Sequence, residues 1–128
     1  MIPYSAPLKD MEFVLNDLGL IDFLLTMPAC EDATHDLVSA VLDEANKLAS
    51  DVIAPLNYSG DKEGATLENG VVHVPKGFTE AYHKYVEGGW NAVPFDPEYG
   101  GQGLPMTIST AVNEMWQSAN IAWALCPL

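Results

Sequence analysis

At 128 residues with 48% apolar side chains, the chain is long enough to bury one hydrophobic core and too apolar to be disordered. Eighteen acidic against five basic residues give a formal charge of −13, which repels phosphate backbones and anionic lipid surfaces, so nucleic-acid binding is excluded as a function class. The same charge disfavours the chain by itself as a holder of a pyrophosphate or of the anionic end of coenzyme A.

The first residues, Met1-Ile2-Pro3-Tyr4-Ser5-Ala6-Pro7, lack the basic region and apolar core of a signal peptide. No apolar run approaches the roughly 20 residues that span a bilayer, so no membrane span is expected. Leu8, Met11, Leu15 and Leu18 fall on one helical face, with Phe13 and Val14 beside it. Gly19 stops that helix, and residues 21–27 form a further apolar turn before Pro28. Asp32 or Thr34 caps the next helix, in which Leu37, Val41, Ala45, Leu48, Val52 and Leu56 recur at three-to-four spacing. Val38, Leu42, Ala49 and Ile53 run alongside, so the stripe is broad and the helix is expected to pack on two sides, with Pro55 as its bound. Residues 58–64 read as a polar turn. Residues 65–74 read as a small β-hairpin around Asn69-Gly70. Pro75-Lys76-Gly77 opens a helix whose Phe78, Ala81, Tyr82, Tyr85 and Val86 share a face, and Gly88-Gly89 ends it. In the last helix Ile108, Ala111, Val112, Met115, Trp116, Ala119, Ala122 and Trp123 lie within one arc. Thr107, Thr110, Asn113, Glu114, Gln117 and Asn120 occupy the rest. Four or five helices with one minor hairpin make an all-α domain.

No catalytic constellation is complete in this sequence. His35, His73 and His83 lack metal-ligand spacing and read as surface or capping residues. Cys30 and Cys126 are too few for a disulfide framework and read as free buried thiols of a cytoplasmic protein. Gly100-Gly101-Gln102-Gly103 before a helix could cradle an anion, but no strand precedes it and no Lys or Arg lies near, so shaping a tight loop is the stronger account. Trp116 borders the polar arc one turn from Asn113 and Asn120. It could wall a pocket or pack on another domain.

Several landmarks, in order, resemble the acyl-CoA dehydrogenases. They are Glu44-Ala45 with Leu48-Ala49, Pro55-Leu56-Asn57, residues 60–64, Pro75-x-Gly77-Phe78, Glu87-Gly88-Gly89-Trp90, and the turn Pro97-Glu98-Tyr99-Gly100-Gly101-Gln102-Gly103-Leu104-Pro105. Residues 4–15 look like the N-terminal extension of the branch of that family that includes enzymes resembling 3-(methylthio)propanoyl-CoA dehydrogenase. The resemblance implies an extension over residues 1–31 and the family's N-terminal helical domain over residues 32–128, truncated at its C-terminal end. It implies FAD in the full-length enzyme, an acyl-CoA substrate of fatty acid metabolism, an electron-transfer acceptor and a homo-oligomer. In the family a glutamate of the C-terminal domain removes the α proton while hydride passes from the β carbon to the flavin. That base and the main flavin contacts would lie beyond residue 128, so this chain alone is expected to hold no FAD and to be inactive. Its part would be one wall of the acyl pocket, with Asn113, Trp116 and Gln117 as the lining residues that the resemblance implies.

A competing reading is a free-standing acidic helical protein-interaction module. It requires a sequence that closes on itself, whereas residues 121–126 form an apolar run that no single helix face hides. That run is expected to drive self-association of the chain.

Overall fold

The computed structural model describes residues 3–127. The Pro7 carbonyl accepts from the N–H groups of Asp10 and Met11, both at 3.0 Å, and α1 (Leu8–Glu12) starts directly behind it. The helix then widens into one π-helical turn, Phe13–Asp17, closed by the Leu18 N–H on the Phe13 carbonyl five residues back at 3.0 Å. An α-helical period puts Leu18 on the face of Met11 and Leu15. The wider turn rotates it outward, and it is 65% exposed. Gly19 ends the turn with φ 77 as expected, and α2 (Leu20–Leu25) buries Ile21 completely.

Thr34 caps α3 (His35–Leu48), its Oγ1 accepting from the Leu37 N–H at 3.3 Å. Of the two neighbouring apolar rows, Val38, Leu42, Ala45, Ala49 and Ile53 enter the core; Val41, Leu48, Val52 and Leu56 are half-buried and Leu37 is exposed. A second π-helical turn, Ala49–Ile53, follows, with the Ala54 N–H on the Ala49 carbonyl at 2.8 Å. Pro55 does not end the helical path. It has no N–H to place, and it stands at the first position of α4 (Pro55–Glu63), where none is needed. Residues 58–64, expected as a turn, are therefore helical up to Glu63. Lys62 lies over the Tyr58 ring one turn back, 5.5 Å from its centroid.

The hairpin is as expected. β1 (Thr66–Glu68) pairs antiparallel with β2 (Val71–His73) in the register Leu67 to Val72, and both turn residues, Asn69 and Gly70, have positive φ. Every residue of both strands is exposed. In α5 (Phe78–Glu87) Ala81 and Tyr85 are buried, whereas Tyr82 and Val86 stand 40% exposed. Single turns of 3-10 helix at Trp90–Ala92 and Pro97–Tyr99 lead to α6 (Met106–Ala124).

The core lies where α3 and its π turn meet α6, with α1 laid on α3 and α4 against α6. The N-terminal segment is tied down by the Ala6 N–H on Asn46 Oδ1 at 2.8 Å. His35 bridges the first π turn and α2, its ring nitrogens lying 2.9 Å from Asn16 Oδ1 and 2.8 Å from Asp22 Oδ1. The thiols depart from expectation: Cys30 is half-buried and Cys126 exposed.

Candidate functional site

The glycine turn, residues 95–105, is held by its own backbone. The N–H groups of Gly101, Gln102, Gly103 and Leu104 donate to the carbonyls of Asp96, Ala92, Phe95 and Val93 at 2.8–3.0 Å. Asp96 Oδ1 accepts from the Glu98 N–H at 2.8 Å, and the Gln102 side-chain amide donates to the Gly89 carbonyl at 2.9 Å. A Cβ on Gly101 would overlap the Phe95 carbonyl, so this position must be glycine for close approach. With those donors committed, the turn offers no cradle for a phosphate. Its work is to deliver Leu104 into the core and to aim α6.

The structure divides the three lining residues that the family resemblance implied. Asn113 and Gln117 line a shallow groove of about 520 Å³ with Thr110, Glu114, Ser118 and Ile121. Trp116 turns the other way and is 2% exposed. Its ring packs edge-to-face on Tyr85 and Trp90, with centroids 6.1 and 5.5 Å away.

Asn120 has a role that helical spacing does not show. Spacing puts it on the polar arc, yet it is 1% exposed. Its extended backbone, φ −163 and ψ 91, breaks α6, and its Oδ1 accepts from the Trp123 N–H at 3.2 Å. That is N-cap geometry for a new turn. The signal was present, since Asn is a poor interior helix residue and a strong cap. The break sends Trp123 and Ala124 inward, and Trp123 Nε1 donates to the Phe78 carbonyl at 3.2 Å. It leaves Ala122 exposed, although the sequence placed it on the apolar arc.

Around this last turn lies an apolar groove of about 630 Å³, walled by Phe78 and Tyr82 of α5, Ile121, Ala122 and Trp123 of α6, and Cys126. Asp61 is among the polar groups that line it. The Phe78 ring reaches the groove floor because Gly60 of α4 carries no Cβ; one there would sit 2.7 Å from the ring. The groove offers apolar contact and no nucleophile–base pair. Among the described residues no three His, Cys, Asp or Glu side chains gather as a metal site, and no helix is long and apolar enough to cross a membrane.

Comparison with known proteins finds the same resemblance over nearly the whole chain. It is 36% identical over 125 residues to 3-methylmercaptopropionyl-CoA dehydrogenase of Ruegeria pomeroyi, a match that covers 98% of this chain and 21% of the relative. It is 26% identical over 124 residues to the broad-specificity linear acyl-CoA dehydrogenase FadE5 of Mycobacterium tuberculosis, covering 95% and 20% respectively. The chain thus spans about a fifth of the length of the curated relatives it matches. No protein-family model matches it.

Proposed function

We propose that this homologue of the acyl-CoA dehydrogenases is the N-terminal helical domain of an FAD-dependent member, and that its own part is to wall the acyl chain. The apolar groove at the end of α6 carries this reading. An acyl chain makes no hydrogen bonds and is held by buried contact area alone, at about 25 cal/mol per Å². The groove suits that task better than the α6 surface at Asn113 and Gln117, which presents amides, or Trp116, which is sealed in the core. The catalytic base and the flavin contacts belong, on this reading, to the four-fifths of the relatives' length that this chain does not span. The committed N–H groups of the glycine turn and the surplus of carboxylates do not fit a pyrophosphate here. Acyl-CoA is the substrate of the whole enzyme, a separate electron-transfer acceptor reoxidises its flavin, and the enzyme assembles as a homo-oligomer. Residues 1–128 alone hold no FAD and oxidise no acyl-CoA.

Grafting residues 1–128 in place of the matching fifth of the Ruegeria relative tests the proposal. The chimera is expected to bind FAD and to reduce a dye when given acyl-CoA. Ala122→Phe, which fills the groove, is expected to raise KM about tenfold with a smaller change in kcat, the signature of lost ground-state binding. An inactive chimera would refute the family role. A KM moved by Asn113→Ala and Gln117→Ala but not by Ala122→Phe would return the acyl wall to the other face of α6.

A further inference from the structure

The proposed function makes no use of the outer side of the N-terminal segment. There the first π turn, with the Leu18 N–H on the Phe13 carbonyl five residues back, brings Leu18 by register over Phe13 as well as Val14 and away from Met11 and Leu15. The three side chains form a ridge, 53%, 50% and 65% exposed for Phe13, Val14 and Leu18. Val14 also edges a groove of about 480 Å³ between this segment and the first half of α6, at the opposite end of that helix from the acyl groove. Met11, Leu15, Leu20 and Ala111 supply its apolar lining, and the exposed carboxylates of Asp10 and Glu114 belong to it as well. Both charged residues that line the groove, Asp10 and Glu114, are carboxylates, and the first 36 residues hold seven carboxylates, of which Asp22 meets His35, against Lys9 as the one Lys or Arg.

We propose that this ridge and groove dock a basic amphipathic helical segment of a partner protein. Apolar side chains of that helix lie on Phe13 and Leu18 and enter the groove, while its Lys and Arg residues reach Asp10 and Glu114. Charge selects this occupant. A second copy on this face would bring Asp10 and Glu114 against the same carboxylates, and an anionic lipid surface is repelled by them in the same way.

The probe is a fluorescein-labelled lysine/leucine peptide of about 14 residues, about the length needed for a helix to form, with leucines at helical spacing. Its anisotropy is read with the chain at about 50 and about 200 mM NaCl, a range over which screening changes strongly. Binding is expected in the micromolar range and about tenfold tighter than for a scrambled peptide of the same composition or a glutamate/leucine counterpart. Phe13→Ser with Leu18→Ser is expected to weaken it about tenfold, as loss of interface anchors does, with an unchanged circular dichroism melt because both residues are exposed. Asp10→Asn with Glu114→Gln flattens the salt dependence. Tyr99→Ser, 82% exposed in the glycine turn, changes nothing. Equal binding of the scrambled peptide, or indifference to the Phe13 and Leu18 changes, overturns the proposal. So does a dimer that Leu18→Ser dissolves, which would make the occupant a second copy. Core-like amide protection of residues 13–18 in the chimeric enzyme also overturns it, because the ridge would then be covered by the enzyme's own chain.

Discussion

Tyr85 is a core residue with an ionisable end. It is 3% exposed and meets Trp116 and Trp123 edge-to-face, with Tyr82 stacked beside it. Burial first, and the neighbouring Tyr82 second, raise its phenol above the ordinary value of 10.0. The folded chain therefore holds this proton more tightly than the unfolded chain. The stability it contributes is complete below pH 10 and is lost as pH rises through the folded value. Tyr4 is raised in the same direction, by burial and then by Glu114, with Ser118 offsetting part of the shift. Urea midpoints across the alkaline range are expected to fall less steeply for Tyr85→Phe, which keeps the ring and removes the ionisation. Parallel falls for the two proteins would contradict this. At Asn120 the test is a pair of substitutions. Ser keeps an oxygen for the Trp123 N–H and Ala does not, so Asn120→Ser should be about 1 kcal/mol more stable than Asn120→Ala. Equal stability would mean the cap contributes nothing.

At the scale of elements, the hairpin and the glycine-bounded segments were the most legible. The hairpin follows from Asn69-Gly70, whose positive φ angles match the turn that a two-residue connection needs. The ends of α5 and the course of the glycine turn follow from their glycines in the same way. The N-terminal helices were less legible, because an α-helical period does not describe segments that contain π turns. In α3 both apolar rows have the right spacing, and packing against α6 and α1 chose between them. Two substitutions of one residue type expose that choice. Leu42→Ala, at 1% exposure, is expected to cost about 3 kcal/mol, and Leu37→Ala, at 37%, under about 1 kcal/mol. Similar costs for both would mean that the rows share the core. Gly101→Ala should cost about 3 kcal/mol, the upper range for overpacking, because the obstacle is the Phe95 carbonyl of the backbone and cannot swing aside. Thermal unfolding of the variant would show it.

The whole molecule carries its charge unevenly. Residues 115–128 hold no charged side chain, while the excess of carboxylates over Lys and Arg is spread over the rest. Self-repulsion at −13 opposes compaction and is screened by salt, so the melting temperature is expected to rise when NaCl is raised from about 10 mM to about 500 mM. A melting temperature independent of salt would refute that account. The uncharged end is a different surface. Trp123 and Ala124 are buried, but Ile121 and Leu125 are 51% and 65% exposed; Leu128 lies outside the described residues. Self-association of the isolated chain through this end is expected at micromolar concentration, and Leu125→Asp should abolish it. Trp123→Asp cannot serve as the probe, because it puts a charge in the core. A wild type that sediments as a monomer would dismiss the idea.

By itself the sequence determined what depends on short range: an all-α domain from the three-to-four spacing, the single hairpin from its turn residues, the ends of helices from glycine and Thr34, and a resemblance to the acyl-CoA dehydrogenases from landmarks kept in order. It also determined the acidic character of the surface, since net charge is a sum over residues. The tertiary structure decided what depends on competition between elements. It chose which of two apolar rows in α3 faces α6, turned Leu18 outward, and carried the helical path through Pro55. It buried Trp116 against Tyr85 and Trp90, so that Asn113 and Gln117 lie on a different surface from their expected companion. Above all it broke α6 at Asn120, because one buried amide that caps a new turn lets Trp123 reach the core. A period count treats all turns of a helix alike. The groove at the end of α6 exists because one turn is not like the others.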